Sequence, residues 1–214
     1  MLNTPKISDI QTYLDDLRTD TRTLRTLEVA SKAEYNASID ESTHLAFIQI
    51  GDYHYFVART LFSLDLDHYS FFAAQQCVEN YLKAYLRFKR QIPPNTHKLP
   101  DLLAKCREAA ADSDSFLSSD HCETIALRYN PFNELARYPI QKTRPQGGIF
   151  GVFKPYDIYI LDYFVFRMKE IMPLPTDNWN ILEPEGHQYL QFCAVNHPEI
   201  LERFQQDNIN FEKR

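Results

Sequence analysis

Apolar residues recur three and four positions apart along most of the chain, the period at which a helix presents one face to a core. Ser8 and Gln11 stand in capping-box relation, and Ile10, Tyr13, Leu14, Leu17, Leu24 and Leu27 follow at helical spacing. They predict a first helix from Ser8 to about Lys32. After the polar stretch Ala37 to Thr43, Ile50, Tyr53, Val57, Leu61 and Leu64 share the face of a second helix. Asp67 is placed to cap a third, whose Phe71, Ala74, Val78, Leu82 and Tyr85 form a continuous stripe ending before Pro93-Pro94. Its opposite face collects Gln76, Glu79, Asn80, Lys83, Arg87 and Arg90, with Glu79 and Lys83 one turn apart.

Leu99, Leu102, Leu103 and Cys106 predict a further helix to about Ala111, and Phe116 to Tyr129 reads as another before Pro131. Connections this short favour antiparallel neighbours. A loop from Ile140 to Lys154 holds three of the five glycines, and Pro155 suits the first position of a helix reaching about Met172. That helix is apolar almost all round, as expected of a central element or a subunit contact. Pro173, Pro175 and Pro184 interrupt the tail before a short helix near His197 to Gln206. The expected architecture is all-α: an antiparallel up-and-down bundle over residues 43–172, an N-terminal helical extension over 1–42 and a C-terminal tail over 173–214.

Composition narrows the class. A 44% hydrophobic and 14% aromatic content spread over 214 residues is enough for one main core and excludes a disordered chain. Five glycines and the lack of an Asn-Gly or Asp-Gly turn argue against a sheet. No apolar run is long enough to span a membrane, and the four cysteines form no C-x-x-C pair and follow no secretory signal. The expectation is a cytoplasmic protein with no membrane contact. A net charge of -6 weighs against broad binding to nucleic acid but leaves room for a local basic site.

Two such islands exist. Lys83, Arg87, Lys89, Arg90 and Lys98 occupy a stretch without an acidic residue, as do Arg137, Lys142, Arg144 and Lys154. Brought together, they would suit a nucleotide or RNA phosphate, with Tyr85, Tyr138 or Phe150 to stack on a base. The alternative is a pair of solvated faces in which Glu79, Lys83 and Arg137 hold helices in register. Gly147-Gly148-Ile149-Phe150-Gly151 lacks the Walker pattern and reads as a hinge before a phosphate loop. His121-Cys122-Glu123 and the Cys193, His197 pair supply too few convergent ligands for a metal, and no cofactor is expected.

The run Phe72 to Leu86, with Gln76, Glu79, Leu82 and Lys83 at fixed offsets, then Pro94-Asn95-Thr96-His97-Lys98-Leu99 with Leu102-Leu103, then Arg137-Tyr138-Pro139, resembles the HEPN family. The resemblance implies a helical bundle that often dimerises. It also implies either a noncatalytic module binding a nucleotide, RNA or a cognate protein such as a nucleotidyltransferase, or a metal-independent endoribonuclease of toxin–antitoxin and defence systems. The RNase branch carries Arg-x(4 to 6)-His, in which His moves protons and Arg stabilises developing negative charge. Arg90 and His97 match that spacing and are the catalytic candidates, although about one such match arises by chance and Pro93-Pro94 interrupts the interval. Lys83, Arg87, Arg137, Tyr138, Lys142 and Arg144 are the candidates for nucleotide or anion binding. The noncatalytic module is the favoured expectation.

Overall fold

The structure is a computed structural model that describes residues 43–135, 155–172, 174, 180–183 and 187–211, together with Gln11, Thr12, Asp15 and Asp16. The chain divides into two compact units, Met1–Ser42 and Thr43–Arg214. In the first, the four described residues are helical and exposed, and the rest of the helix expected from Ser8 lies outside the described residues.

The regular elements of the second unit are all helices, with no strand among the described residues. Its helices are α1 His44–Phe62, α2 Asp67–Phe88, α3 Leu99–Ala109, α4 Ser115–Ser118, α5 Asp120–Tyr129, α6 Phe132–Leu135, α7 Pro155–Ile171, α8 Gln188–Asn196 and α9 Pro198–Gln205. The long helices start and stop close to where the apolar pattern places them. The predicted Phe116–Tyr129 helix is instead two, because Ser119 is extended and its hydroxyl accepts the Cys122 N–H as the cap of α5. The tail carries α8 in addition to the expected α9.

α2 is the axis of the unit. Its 22 residues span roughly 33 Å and pack against α1, α3, α5, α6 and α7. The stripe Phe71, Ala74, Val78, Leu82 and Tyr85 is buried as its spacing requires, but so are Gln75, Glu79 and Asn80 on the face that looked polar. α1 is its closest partner. Gly51 lies in α1 where a Cβ would come within 2.9 Å of the Tyr81 ring, so the helix accepts the roughly 1 kcal/mol propensity cost of a glycine to let the aromatic ring seat against its backbone.

A buried helix must find partners for its polar groups, and so must the helices around it. Tyr81 donates its hydroxyl to Asp52 of α1, whose other oxygen takes the Lys169 ammonium of α7 at 2.7 Å, joining three helices at one carboxylate. Tyr85 donates to Asp114 at 2.6 Å, and Lys89 reaches the same oxygen at 2.7 Å. Arg128 of α5 grips Asp157 of α7 with two bonds of 2.8 Å.

The tail is fastened by a second buried network. Arg59 of α1 bonds Asp162 of α7 at 2.7 Å, its Nε donates to the Phe204 carbonyl at 3.2 Å, and its remaining nitrogen donates to the Gln206 carbonyl. Tyr55 donates to Asp162 at 2.9 Å, and Asn208 and Asn210 both donate to the Tyr55 oxygen. Burial pushes the Asp162 carboxyl up to about 7 against the pull of Arg59 and Tyr55. One guanidinium therefore ties α1 to both α7 and the chain beyond α9.

Removing Arg59 strands a buried carboxylate and frees two carbonyls. Arg59→Ala is expected to cost about 3–5 kcal/mol in urea denaturation, with amide exchange accelerating first over residues 204–211. Unchanged exchange there would show that the tail is held by its apolar contacts alone.

Asp114 sets an acid limit. Burial raises its carboxyl, but Lys89, Tyr85 and the Ala111 N–H outweigh burial and hold it down at about 2. A carboxyl held lower in the folded state than in the unfolded chain stabilises above the unfolded value near 4, and that stability is lost as pH falls toward 2. Asp114→Asn is expected to cost about 2 kcal/mol at neutral pH and to flatten the stability decline between pH about 4 and 2, as thermal melts across that range would show.

Candidate functional site

The features that single out the middle of the sequence meet at the end of α2 and the entrance to α3. α2 closes with Lys89 as its last cap, after which Arg90 takes a left-handed backbone with φ 59°. The Arg90 N–H bonds the Arg87 carbonyl at 2.9 Å, and the Gln91 N–H reaches back to the Leu86 carbonyl at 2.8 Å. This is a Schellman stop with arginine in the place glycine usually fills, at a cost of about 1 kcal/mol.

Beyond Pro93-Pro94 the chain turns back along α2. The Thr96 hydroxyl accepts the Lys98 N–H at 3.1 Å, and the Asn130 side chain accepts the Leu99 N–H at 2.9 Å, fixing the first turn of α3 to the end of α5. This brings His97 beside Glu79, eighteen residues earlier.

Glu79 is only 3% exposed, and its carboxylate has donors around it. Lys83 reaches Oε1 at 2.7 Å, His97 donates from Nδ1 at 3.0 Å to Oε1 and 3.2 Å to Oε2, and Gln75 donates to Oε2 at 3.2 Å. Gln75 also donates to the His97 carbonyl at 3.1 Å, so the residue is held by both its ring and its backbone. Gln76 donates to the Gln75 oxygen, and Asn80 returns its amide to the Gln76 carbonyl at 2.8 Å. Glu79 also acts on His54 of α1: burial lowers that imidazole and the carboxylate pulls it partly back.

The candidate residues fall into three groups. Lys83 and His97 converge on one carboxylate oxygen, with Arg87 half-buried one turn beyond Lys83 on α2. Arg90 sits exposed at the helix stop, and among the described residues no hydrogen bond or ion pair joins it to His97. Arg137, Tyr138, Lys142 and Arg144 lie outside the described residues, as do Phe150, Lys154 and Gly147, Gly148 and Gly151.

The first basic island is acid-free in sequence but not in space. Glu79 takes Lys83, and Asp114 takes Lys89 from beyond α3, while the Lys89 ammonium also lies 5.4 Å from the Tyr85 ring centre. Lys98 remains exposed beside His97. Gln75 and His54 were not among the expected site residues. Gln75 had a signal, since it sits one turn before Glu79 on α2; His54 had none, because only packing brings α1 to that carboxylate.

Among the described residues, no group of three histidine, cysteine or acidic side chains is placed to hold a metal, and no helix is long and apolar enough to cross a membrane. All four cysteines are free and buried.

Removing the Gln75 amide should loosen the α3 entrance without touching charge. Gln75→Leu is expected to cost about 1 kcal/mol and to speed amide exchange at Thr96 to Leu99. Protection unchanged from the wild type would mean that the Asn130 contact alone holds the turn.

Residues 45–148 match the family model described as HEPN domain, a segment that begins in the first turn of α1 and leaves residues 1–44 and 149–214 outside it. Among curated proteins and solved structures, none matches the chain.

Proposed function

We propose that this HEPN domain is a noncatalytic module that binds a phosphate-bearing ligand, a nucleotide or RNA, through the basic end of α2 and the basic residues from Arg137 to Arg144. One observation carries the reading: His97 is bound to Glu79 with Lys83, while the Arg90 backbone ends α2 and, among the described residues, no bond joins its exposed side chain to His97. Lys83 and Arg87 line the helix one turn apart, Lys98 stands exposed nearby, and Arg137, Tyr138, Lys142 and Arg144 are the residues proposed to complete the site.

A protein partner is the second reading, favoured by an exposed apolar row. Ile50 and Tyr53 of α1 and Tyr189, Phe192 and Val195 of α8 are all large and solvent-facing, and the Tyr53 and Tyr189 rings stand 6.0 Å apart, edge to face. A cognate nucleotidyltransferase or a second copy of the chain is the kind of partner this reading expects.

Arg90→Gly makes the discriminating experiment clean. Glycine takes the left-handed position without strain, so the variant removes the guanidinium and should stabilise the fold by about 1 kcal/mol. The expected result is measurable binding of ATP or single-stranded RNA that weakens with salt and falls in Lys83→Met and Arg87→Met, with no RNA cleavage in EDTA. Cleavage in EDTA that both Arg90→Gly and His97→Ala abolish would make the protein a metal-independent endoribonuclease instead. Absence of binding at millimolar ATP and micromolar RNA would leave the protein partner as the function.

A further inference from the structure

The Glu79 carboxylate does more than pair two cations. A carboxylate can only accept, so the imidazole nitrogen it holds must donate, and the proton of His97 is fixed on Nδ1. The ring's other nitrogen, Nε2, is then the one turned away from α2. Half of this side chain is open to solvent, with 53% exposure against 4% for the Glu79 side chain. Gln75 removes the remaining freedom by holding the His97 carbonyl.

The result is a ring anchored on its inner edge and presented on its outer edge. Lys83 sits on the same carboxylate oxygen and is 13% exposed, so a lysine ammonium stands beside the presented imidazole. Thr96 and Lys98 flank it on the surface of the turn. Among the described residues no fold contact takes Nε2, which leaves it open to water or to a ligand. The arrangement matches what oriented metal ligands and catalytic imidazoles require, a carboxylate behind the ring that sets its tautomer and direction.

We propose that His97 is the ligand-facing residue of the phosphate site, its outward Nε2 sharing a proton brought by the phosphate with a phosphate oxygen and Lys83 standing as the neighbouring cation, and that Glu79 is the positioning residue that aims it. This rests on the phosphate-binding reading above and names the group that touches the ligand. It gives the helix motif and the Thr-His turn one shared task, since the Gln76, Glu79 and Lys83 offsets of α2 and the His97 turn are parts of one hydrogen-bonded unit.

Two near-isosteric replacements separate anchoring from contact. Asparagine at His97 places an amide where Nδ1 was and keeps the Glu79 bond, but has nothing where Nε2 was. Glutamine reaches the Nε2 position and gives up the Glu79 bond. Full-length wild type, His97→Asn, His97→Gln and Lys83→Met are titrated with inorganic phosphate, ATP and a short single-stranded RNA, and nitrogen-15 spectra of the imidazole report the tautomer.

The expected outcome is a wild-type ring protonated on Nδ1 in the free protein and on both nitrogens in the complex, a loss of about tenfold in affinity for His97→Asn at unchanged melting temperature, and a smaller loss for His97→Gln. Inorganic phosphate competing with both larger ligands would support a shared phosphate contact; a deficit seen only with RNA or only with ATP would still support it and name the source. Wild-type affinity in His97→Asn overturns the contact, and wild-type affinity in His97→Gln overturns the positioning by Glu79. If His97→Asn binds normally while Lys83→Met is weakened, this inference fails and the phosphate-binding reading stands. If the wild type binds none of the three probes, both fall together.

Discussion

A helix buried along most of its length cannot leave an enclosed polar side chain unanswered, and that constraint on α2 organises the rest of the unit. Its stripe of Phe71, Val78, Leu82 and Tyr85 would form on any amphipathic helix. What is particular is that Glu79, Tyr81 and Tyr85 are equally buried and each recruits a different element: the α3 entrance, α1 with α7, and the turn before α4. Hydrophobic burial supplies the drive to pack, and these directional bonds choose which face of each neighbour is accepted.

The buried ions follow a common logic. Asp52 with Lys169 and Asp162 with Arg59 join α1 to α7 at two heights, and each carboxylate also takes a tyrosine hydroxyl. Such pairs contribute little net stability because desolvation offsets their attraction. Their effect is on register: α7, apolar almost all round, would slide against α1 at little cost without two fixed charges to meet.

Much of the fold was legible in the sequence, since helical periodicity and proline positions locate α1, α2, α3, α7 and α9 within a few residues. The local break at Ser119 was harder, because a serine cap inside an apolar run changes direction without changing composition. α8 lay between Pro184 and Pro198, where the prolines spoke louder than the short apolar pattern of Leu190 and Cys193. At the site, the Gln76, Glu79 and Lys83 offsets and the Thr-His turn were visible as a motif, but not that they bond to each other. The face carrying them read as solvent-exposed because a single helix cannot report what covers it. The acid-free island misled for the same reason: Asp114 is distant in sequence and adjacent in space to Lys89.

The Arg59 latch bears on the order in which the molecule comes together. α1 and α2 are joined by a four-residue turn and make contacts that are local in sequence, the kind that form early and fast. Arg59, in that same hairpin, waits for carbonyls 145 positions away at Phe204. During synthesis the hairpin therefore exists for many seconds with a guanidinium whose final partners have not been made, at ribosomal rates of about 5–20 residues per second. Closure of the tail is a late, separate event, and a chain interrupted before Phe204 would carry the hairpin with its most demanding charge still hydrated rather than locked away.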